Sequence, residues 1–244
     1  SDRLVEFPLG LFGVALGTVI LPNLSRHHAA ASPERFSQTL DWGLRWTLLV
    51  GVPATVALVI LAGPMLSALF QYGKFSPEDV RMAARSLMAL ALGLLAFMLI
   101  KVLAPGFYAR QDTRTPMRYG LIAMGANTAM TLVLIWPLAH AGLALSTSLA
   151  SFLNAGMLFR NLRHHGIYQP ARDWPRFLLQ LGSANLAMGL LLWFGAGDLE
   201  HWIHASAKGR LWHLVELVVA GGGCYLLAIL AVGIRPRHLL LRRG

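Results

Sequence analysis

Charge is what this sequence has least of. Only 13% of its 244 residues are Asp, Glu, Lys or Arg, about half the roughly 25% of an ordinary soluble domain. So little polar surface cannot coat a globule of this size, and the apolar side chains must meet lipid rather than water. The 11 acidic residues are dispersed along the chain, which leaves little room for the clustered carboxylates of hydrolytic or glycosyl-transfer chemistry. A single cysteine, Cys224, lies in an apolar run and excludes both a disulfide scaffold and a paired-thiol metal site. There is no His-Glu-x-x-His helix, no Gly-x-Ser-x-Gly turn and no phosphate-binding loop ending in Gly-Lys-Ser or Gly-Lys-Thr. His27 with His28 and His164 with His165 are adjacent pairs, and sequence neighbours rarely converge on one zinc ion. The reading is therefore a non-enzyme with no cofactor and no metal.

What is present is apolar length. Hydrophobic residues make up 56% of the chain and the mean hydropathy is +0.56. A helix crossing the hydrocarbon core needs about 20 mainly apolar residues. Seven segments meet that length, at 4–24, 44–63, 82–103, 117–137, 142–162, 177–196 and 212–234. The fourth and fifth come from one uncharged run, Tyr119 to Phe159, long enough for two crossings and broken at Pro137 to Gly142, where Pro, His and Gly supply turn chemistry. Pro53 and Pro64 fall in the second run, where the pair is expected to kink the helix and then end it. The runs are continuous rather than alternating, so the expected fold is all-α, a polytopic membrane helical bundle of about seven transmembrane helices and not a barrel. Many of the 24 glycines sit inside these runs, where small residues let helix backbones approach closely.

The net charge of +10 does not point to nucleic acid, because the basic residues form short clusters between apolar runs and no stripe with aromatic platforms. Of the 21 basic residues only Arg3, Lys74, Arg81, Arg85, Lys208 and Arg210 fall on one side of the threading; the rest fall on the other, with the C-terminus. That bias places the C-terminus in the cytoplasm. Seven crossings then put Ser1 outside, with no initiator Met and charges against the first apolar run, so at least one further span is expected before it. We divide the chain into residues 1–162, with five helices, and 163–244, a helix pair with a basic tail.

Three groups of residues carry candidate chemistry. Arg3 and Glu6 are three apart and share one helix face. An intramembrane guanidinium normally faces a partner or a wet cavity, and its fork suits diphosphate oxygens; an interfacial flank with snorkelling side chains is the other reading. In Lys101 to Pro116, KVLAPGFYARQDTRTP, Pro105 and Gly106 are expected to terminate a helix, Phe107 and Tyr108 to sit at the interface, and Arg110 and Arg114 to mark the cytoplasmic side. This is either a helix end with an aromatic belt or a stiff basic gate formed by Lys101, Pro105, Gly106, Arg110 and Arg114. Asn127, Thr128 and Thr131, with Ser146, Thr147, Ser148, Ser151 and Asn154, place polar groups in the fourth and fifth runs. They serve helix packing, or Asn127 and Thr131 contribute to a cation or substrate site.

Three separated motifs, RLVEFPLGLFGVALGTVILPNLSR at Arg3 to Arg26, FQYGKFS at Phe70 to Ser76 and the Lys101 to Pro116 stretch, resemble the MurJ (MviN) family of lipid II flippases in family order. The resemblance runs the whole chain and matches the eighth through fourteenth spans of that family. It implies the multidrug/oligosaccharidyl-lipid/polysaccharide exporter superfamily, two six-helix lobes around a cavity, with residues 1–162 a partial second transporter lobe, and alternating access. The implied partners are lipid II, an undecaprenyl diphosphate glycolipid moved from the cytoplasmic to the periplasmic leaflet of the bacterial inner membrane, membrane lipids, and an N-terminal lobe absent from this sequence. By the same resemblance Arg3 matches a cavity arginine that engages diphosphate, Glu6 a neighbouring carboxylate, and the last two helices a groove for the polyprenyl tail. The sodium site of some members uses aspartates; Asn127 and Thr131 stand in that region without an acidic partner, which argues against sodium coupling. An exporter of another polyprenyl-linked glycan, a polyprenyl-phosphate enzyme and a non-transporting scaffold are the competing readings.

Overall fold

The computed structural model describes residues 2–72 and 76–234; on the first helix the side chains of residues 2, 3, 7–9 and 11–18 lie outside the description. Residues 73–75 of the FQYGKFS motif, and the arginines of the tail from position 235 onward, therefore lie outside the described residues. The helices are α1 (Asp2–Ala29), α2 (Pro33–Phe70), α3 (Pro77–Tyr108), α4 (Arg114–Leu138), α5 (His140–His164), α6 (Trp174–Ala196), α7 (Leu199–His204) and α8 (Ala207–Ala231). Among the described residues there is no strand. Each of the seven expected segments falls on one long helix, the last running three residues past the end of α8, and α2, α3, α4, α5, α6 and α8 are long and apolar enough to cross a membrane. The chain is an all-α, multi-pass membrane protein. The short α7 was not expected.

Helix boundaries follow local chemistry. Ser76 and Asp79 form a reciprocal capping box ahead of α3, with Pro77 in the first turn, where its missing N–H costs nothing. The α4–α5 hairpin turns at Ala139, whose φ of +47° is left-handed. Gly142 follows because a Cβ there would lie 2.3 Å from the Leu134 carbonyl oxygen. The expected break at Pro137 to Gly142 is thus observed, with Leu138 the last residue of α4.

Two expected helix ends are corrected. Pro64 does not end α2, which runs unbroken through Pro53 and Pro64 to Phe70. Leu61, Ala62, Gly63, Pro64 and Leu66 are buried there, and neighbouring helices tolerate a proline that would break an isolated helix. Nor do Pro105 and Gly106 terminate α3: both are buried inside it. A Cβ on Gly106 would meet Leu40 and Leu162 at 3.4 and 3.5 Å, so the pair is where α3 approaches α2 and α5. Phe107 belongs to the core at 1% exposure rather than to an interfacial belt, while Tyr108 is exposed.

The bundle is organised around α2 and α3. Helix α3 packs against α1, α2 and α5; α4 lies chiefly on α5; α6, α7 and α8 make their main contacts with α2 and with one another. One core cluster joins Ile20 and Leu24 of α1 to Leu40 and Leu44 of α2, Val102 and Phe107 of α3 and Leu158 of α5. A second, at the other end, joins Val5 to Leu58, Ala62 and Leu66 of α2 and to Val80, Ala84 and Leu87 of α3. At 38 residues, α2 is about 57 Å long against a core of about 30 Å, so it is longer than one upright crossing needs.

Candidate functional site

The first turns of α1 place the Arg3–Glu6 pair. Val5 is buried against α2 and α3, and the adjacent Glu6 is exposed. Arg3 lies on α1, but its side chain is outside the described residues.

The gate residues sit at the opposite end of the bundle. Lys101, Arg110 and Arg114 are exposed, whereas Pro105 and Gly106 are buried. Their surroundings are Leu24, Leu40, Leu44 and Leu162, not the Leu66 and Val80 that surround Val5. The structure thus separates the two sets along α3 instead of assembling them. Between α3 and α4 the chain turns through Gln111 (φ +59°), and the Asp112 carboxylate accepts the Thr115 N–H at 3.0 Å. The Thr115 hydroxyl first, and then this N–H, hold the Asp112 carboxyl below the usual carboxylate range.

On the α4–α5 hairpin, Thr131 and Ser146 hydroxyls pair at 2.6 Å, and Ser146 also donates to the Leu143 carbonyl at 2.8 Å. Ser148 donates to the Ala89 carbonyl of α3 at 2.6 Å, Thr128 to Met124, Thr147 to Leu143 and Ser151 to Thr147. Thr131, Ser146 and Ser148 thus bond across to a neighbouring helix, and Thr128, Thr147 and Ser151 back to their own. Among the described residues, Asn127 Oδ1 and Asn154 Oδ1 are buried with no hydrogen-bond partner.

Sequence reasoning missed the strongest polar assemblies, which attach α6 to α8 to α2. At one end Arg45 donates from Nε to Asp41 at 2.8 Å and as a fork to both oxygens of Asp173, at 2.9 and 2.6 Å. Asp41 also accepts from the Tyr168 hydroxyl at 2.8 Å and the Trp174 indole at 2.6 Å, and the Arg45 guanidinium lies over the Trp174 and Phe177 rings. Burial, and then the bond to Asp41, push the Tyr168 phenol above its ordinary range. At the other end Arg210, 8% exposed, donates to the Ser67 carbonyl at 3.1 Å, to the Ser67 hydroxyl and to Gln71. Ser37, Asp41 and Arg45 recur every four residues on one face of α2, a visible signal; their partners lie more than 120 residues away.

A family model described as lipid II flippase MurJ matches residues 1–211. The chain is 46% identical over 240 residues to a probable lipid II flippase MurJ of Vibrio cholerae serotype O1, covering 98% of this chain and 46% of that protein. It is 45% identical over 194 residues to the lipid II flippase MurJ of Burkholderia cenocepacia, covering 79% and 38%. A solved structure of lipid II flippase MurJ in an inward closed conformation superposes with a TM-score of 0.77 at 22% identity, covering 93% of this chain and 44% of that one. An inward-facing multidrug resistance MATE family transporter of the MOP superfamily gives 0.52 at 17% identity, covering 94% and 55%. The two structural likenesses speak for the fold alone. The chain spans about half the length of the curated relatives it matches.

Proposed function

This chain belongs to the lipid II flippase MurJ family, and on that premise we propose that it forms the C-terminal half of a lipid II flippase of the bacterial inner membrane. The whole transporter moves the undecaprenyl-diphosphate-linked precursor from the cytoplasmic to the periplasmic leaflet by alternating access. No bond is broken. Work is done by differential binding of an anionic headgroup in two cavity states, since a ligand shifts an equilibrium only by its difference in affinity. Residues 1–162 supply part of the second lobe and 163–244 the C-terminal helix pair. The C-terminus is cytoplasmic, and an N-terminal lobe completes the cavity.

Within that half, Arg3 engages the diphosphate and Glu6 tunes its release. Lys101, Pro105, Gly106, Arg110 and Arg114 act at the far end of α3, where closure of the cytoplasmic side would take place. Thr131 supports packing through its bond to Ser146, while Asn127, whose buried Oδ1 has no partner among the described residues, keeps the alternative of a cation or substrate site. The observation that carries the proposal is the family match over residues 1–211, together with Glu6 lying exposed beside the buried Val5.

The test is complementation of a flippase-depleted strain with the complete gene. Growth with the intact gene, and loss of growth with Arg3→Ala at equal membrane abundance, is the expected result. Failure of the intact gene to rescue overturns the flippase reading; full rescue by Arg3→Ala overturns only the role of Arg3.

A further inference from the structure

Proline at position 53 has no N–H, so the Leu49 carbonyl four residues earlier loses its intrahelical donor. In a membrane helix such an oxygen must find another donor. The Tyr225 hydroxyl of α8 supplies it, donating to the Leu49 carbonyl at 2.6 Å. This bond lies one turn beyond Arg45. It extends a ladder in which Ser37 exchanges hydrogen bonds with Gln169, Asp41 receives Tyr168 and Trp174 and Arg45 grips Asp173. At the far end of α2, Ser67 and Gln71 donate to the carbonyls of Trp202 and Ile203 and receive Arg210. Position 37 to position 71 spans about 51 Å of helix.

Between these points the contact is close-packed. A Cβ on Gly189 would touch Val56 at 3.4 Å, and Cβ atoms on Gly195 and Gly221 would collide with Leu217 and Leu192 at 2.6 and 2.7 Å, so α6 and α8 are interlocked with each other. Helix α4, by contrast, lies chiefly on α5.

We infer that α6, α7 and α8 move with α2 as one rigid body, and that Tyr225 is the positioning residue that locks α8 onto the carbonyl Pro53 leaves open. Attachment at both ends and along the shaft resists hinging and sliding alike, because displacement in either mode breaks several bonds at once, and the Tyr225–Leu49 bond, inside the membrane run, has no water to replace it. The inference does not depend on which lipid is moved.

The test uses the full-length protein in liposomes, with Cys224→Ser and spin labels at Gln38 and Leu227 for the α2–α8 distance, and at Gln38 and Leu121 for α2–α4. A single α2–α8 distance that holds in detergent and in liposomes is expected; two α2–α8 populations overturn the rigid body. Hydrogen exchange tests the lock. Tyr225→Phe should speed exchange of the α8 amides around Ala228 about fivefold, and less than about twofold in a Pro53→Ala background, where the restored N–H serves Leu49. An equal effect in both backgrounds, or none in either, overturns the role of Tyr225. Neither measurement requires transport, so failure to move lipid II leaves this inference standing.

Discussion

Gly93 of α3 and Ser148 of α5 meet where no side chain larger than hydrogen fits: a Cβ on Gly93 would lie 2.5 Å from the Ser148 hydroxyl oxygen and 2.9 Å from its Cα. The obstacle includes backbone, so a rotamer change cannot relieve it. The same approach lets Ser148 reach the Ala89 carbonyl. Gly93→Ala should force α3 and α5 apart and cost about 1–3 kcal/mol, read as a lower denaturation midpoint of the detergent-solubilised protein. Gly120 has open space around it, and Gly120→Ala is the control expected to leave stability unchanged or raised.

Arg210 has a different source of strength from the ion pairs at the surface. Among the described residues its acceptors are the Ser67 carbonyl and hydroxyl and Gln71, at the C-terminal turn of α2, the negative end of that helix dipole. Arg210→Ala would leave those buried acceptors short of a donor, and a loss of about 2–3 kcal/mol is expected from charge-assisted bonds of this kind. Arg81 and Glu200 also pair, but both are roughly half exposed, so Glu200→Gln should cost less than about 1 kcal/mol. Unfolding of the two variants side by side checks the ranking.

Much of the fold is written in hydropathy. Seven apolar lengths became seven long helices, and the α4–α5 break stands where Pro, His and Gly announced it. The helix ends were harder to read. Helices α1, α3, α5 and α8 all finish with paired backbone bonds of the Schellman kind around Ala31, Gln111, Gly166 and Gly233, on one side of the bundle. Gly166 and Gly233 signal this in sequence; Ala31 and Gln111 carry no such signal. Pro64 and Pro105 misled because a proline's effect depends on its neighbours: burial of Leu61, Ala62 and Leu66 holds the helix through Pro64, and packing of Gly106 on Leu40 and Leu162 holds it through Pro105. The site was legible only as residue types. Arg3 and Glu6 could be placed on one face, but the separation of that face from Lys101 and Arg114 along α3 follows from tertiary packing.

Gln111 offers a stabilising change. Its φ of +59° costs a residue with a Cβ about 1–2 kcal/mol relative to glycine, part of which glycine gives back as greater freedom when unfolded. Gln111→Gly should raise stability by about 0.5–1 kcal/mol, seen as a higher thermal midpoint. The same change at Gln38, inside α2, should lower it.

Asp112 makes the adjoining turn sensitive to pH. Its carboxylate accepts the Thr115 N–H at the start of α4, a donor with no intrahelical partner. The Thr115 hydroxyl first, then that bond, and last the attraction of Arg110, lower the carboxyl below its ordinary value. A depressed acid contributes stability that is fully present above the unfolded value, about 3.9, and is lost as pH falls through the lower folded value. Acidification below about pH 4 should therefore loosen the first turn of α4, while the range from neutral to mildly alkaline leaves it untouched. Proteolytic nicking at Arg110 and Arg114 by an acid-tolerant protease, followed across that range, should rise as pH drops in the intact protein. In Asp112→Asn the same nicking should stay flat across the acid range, because no proton is taken up at that position.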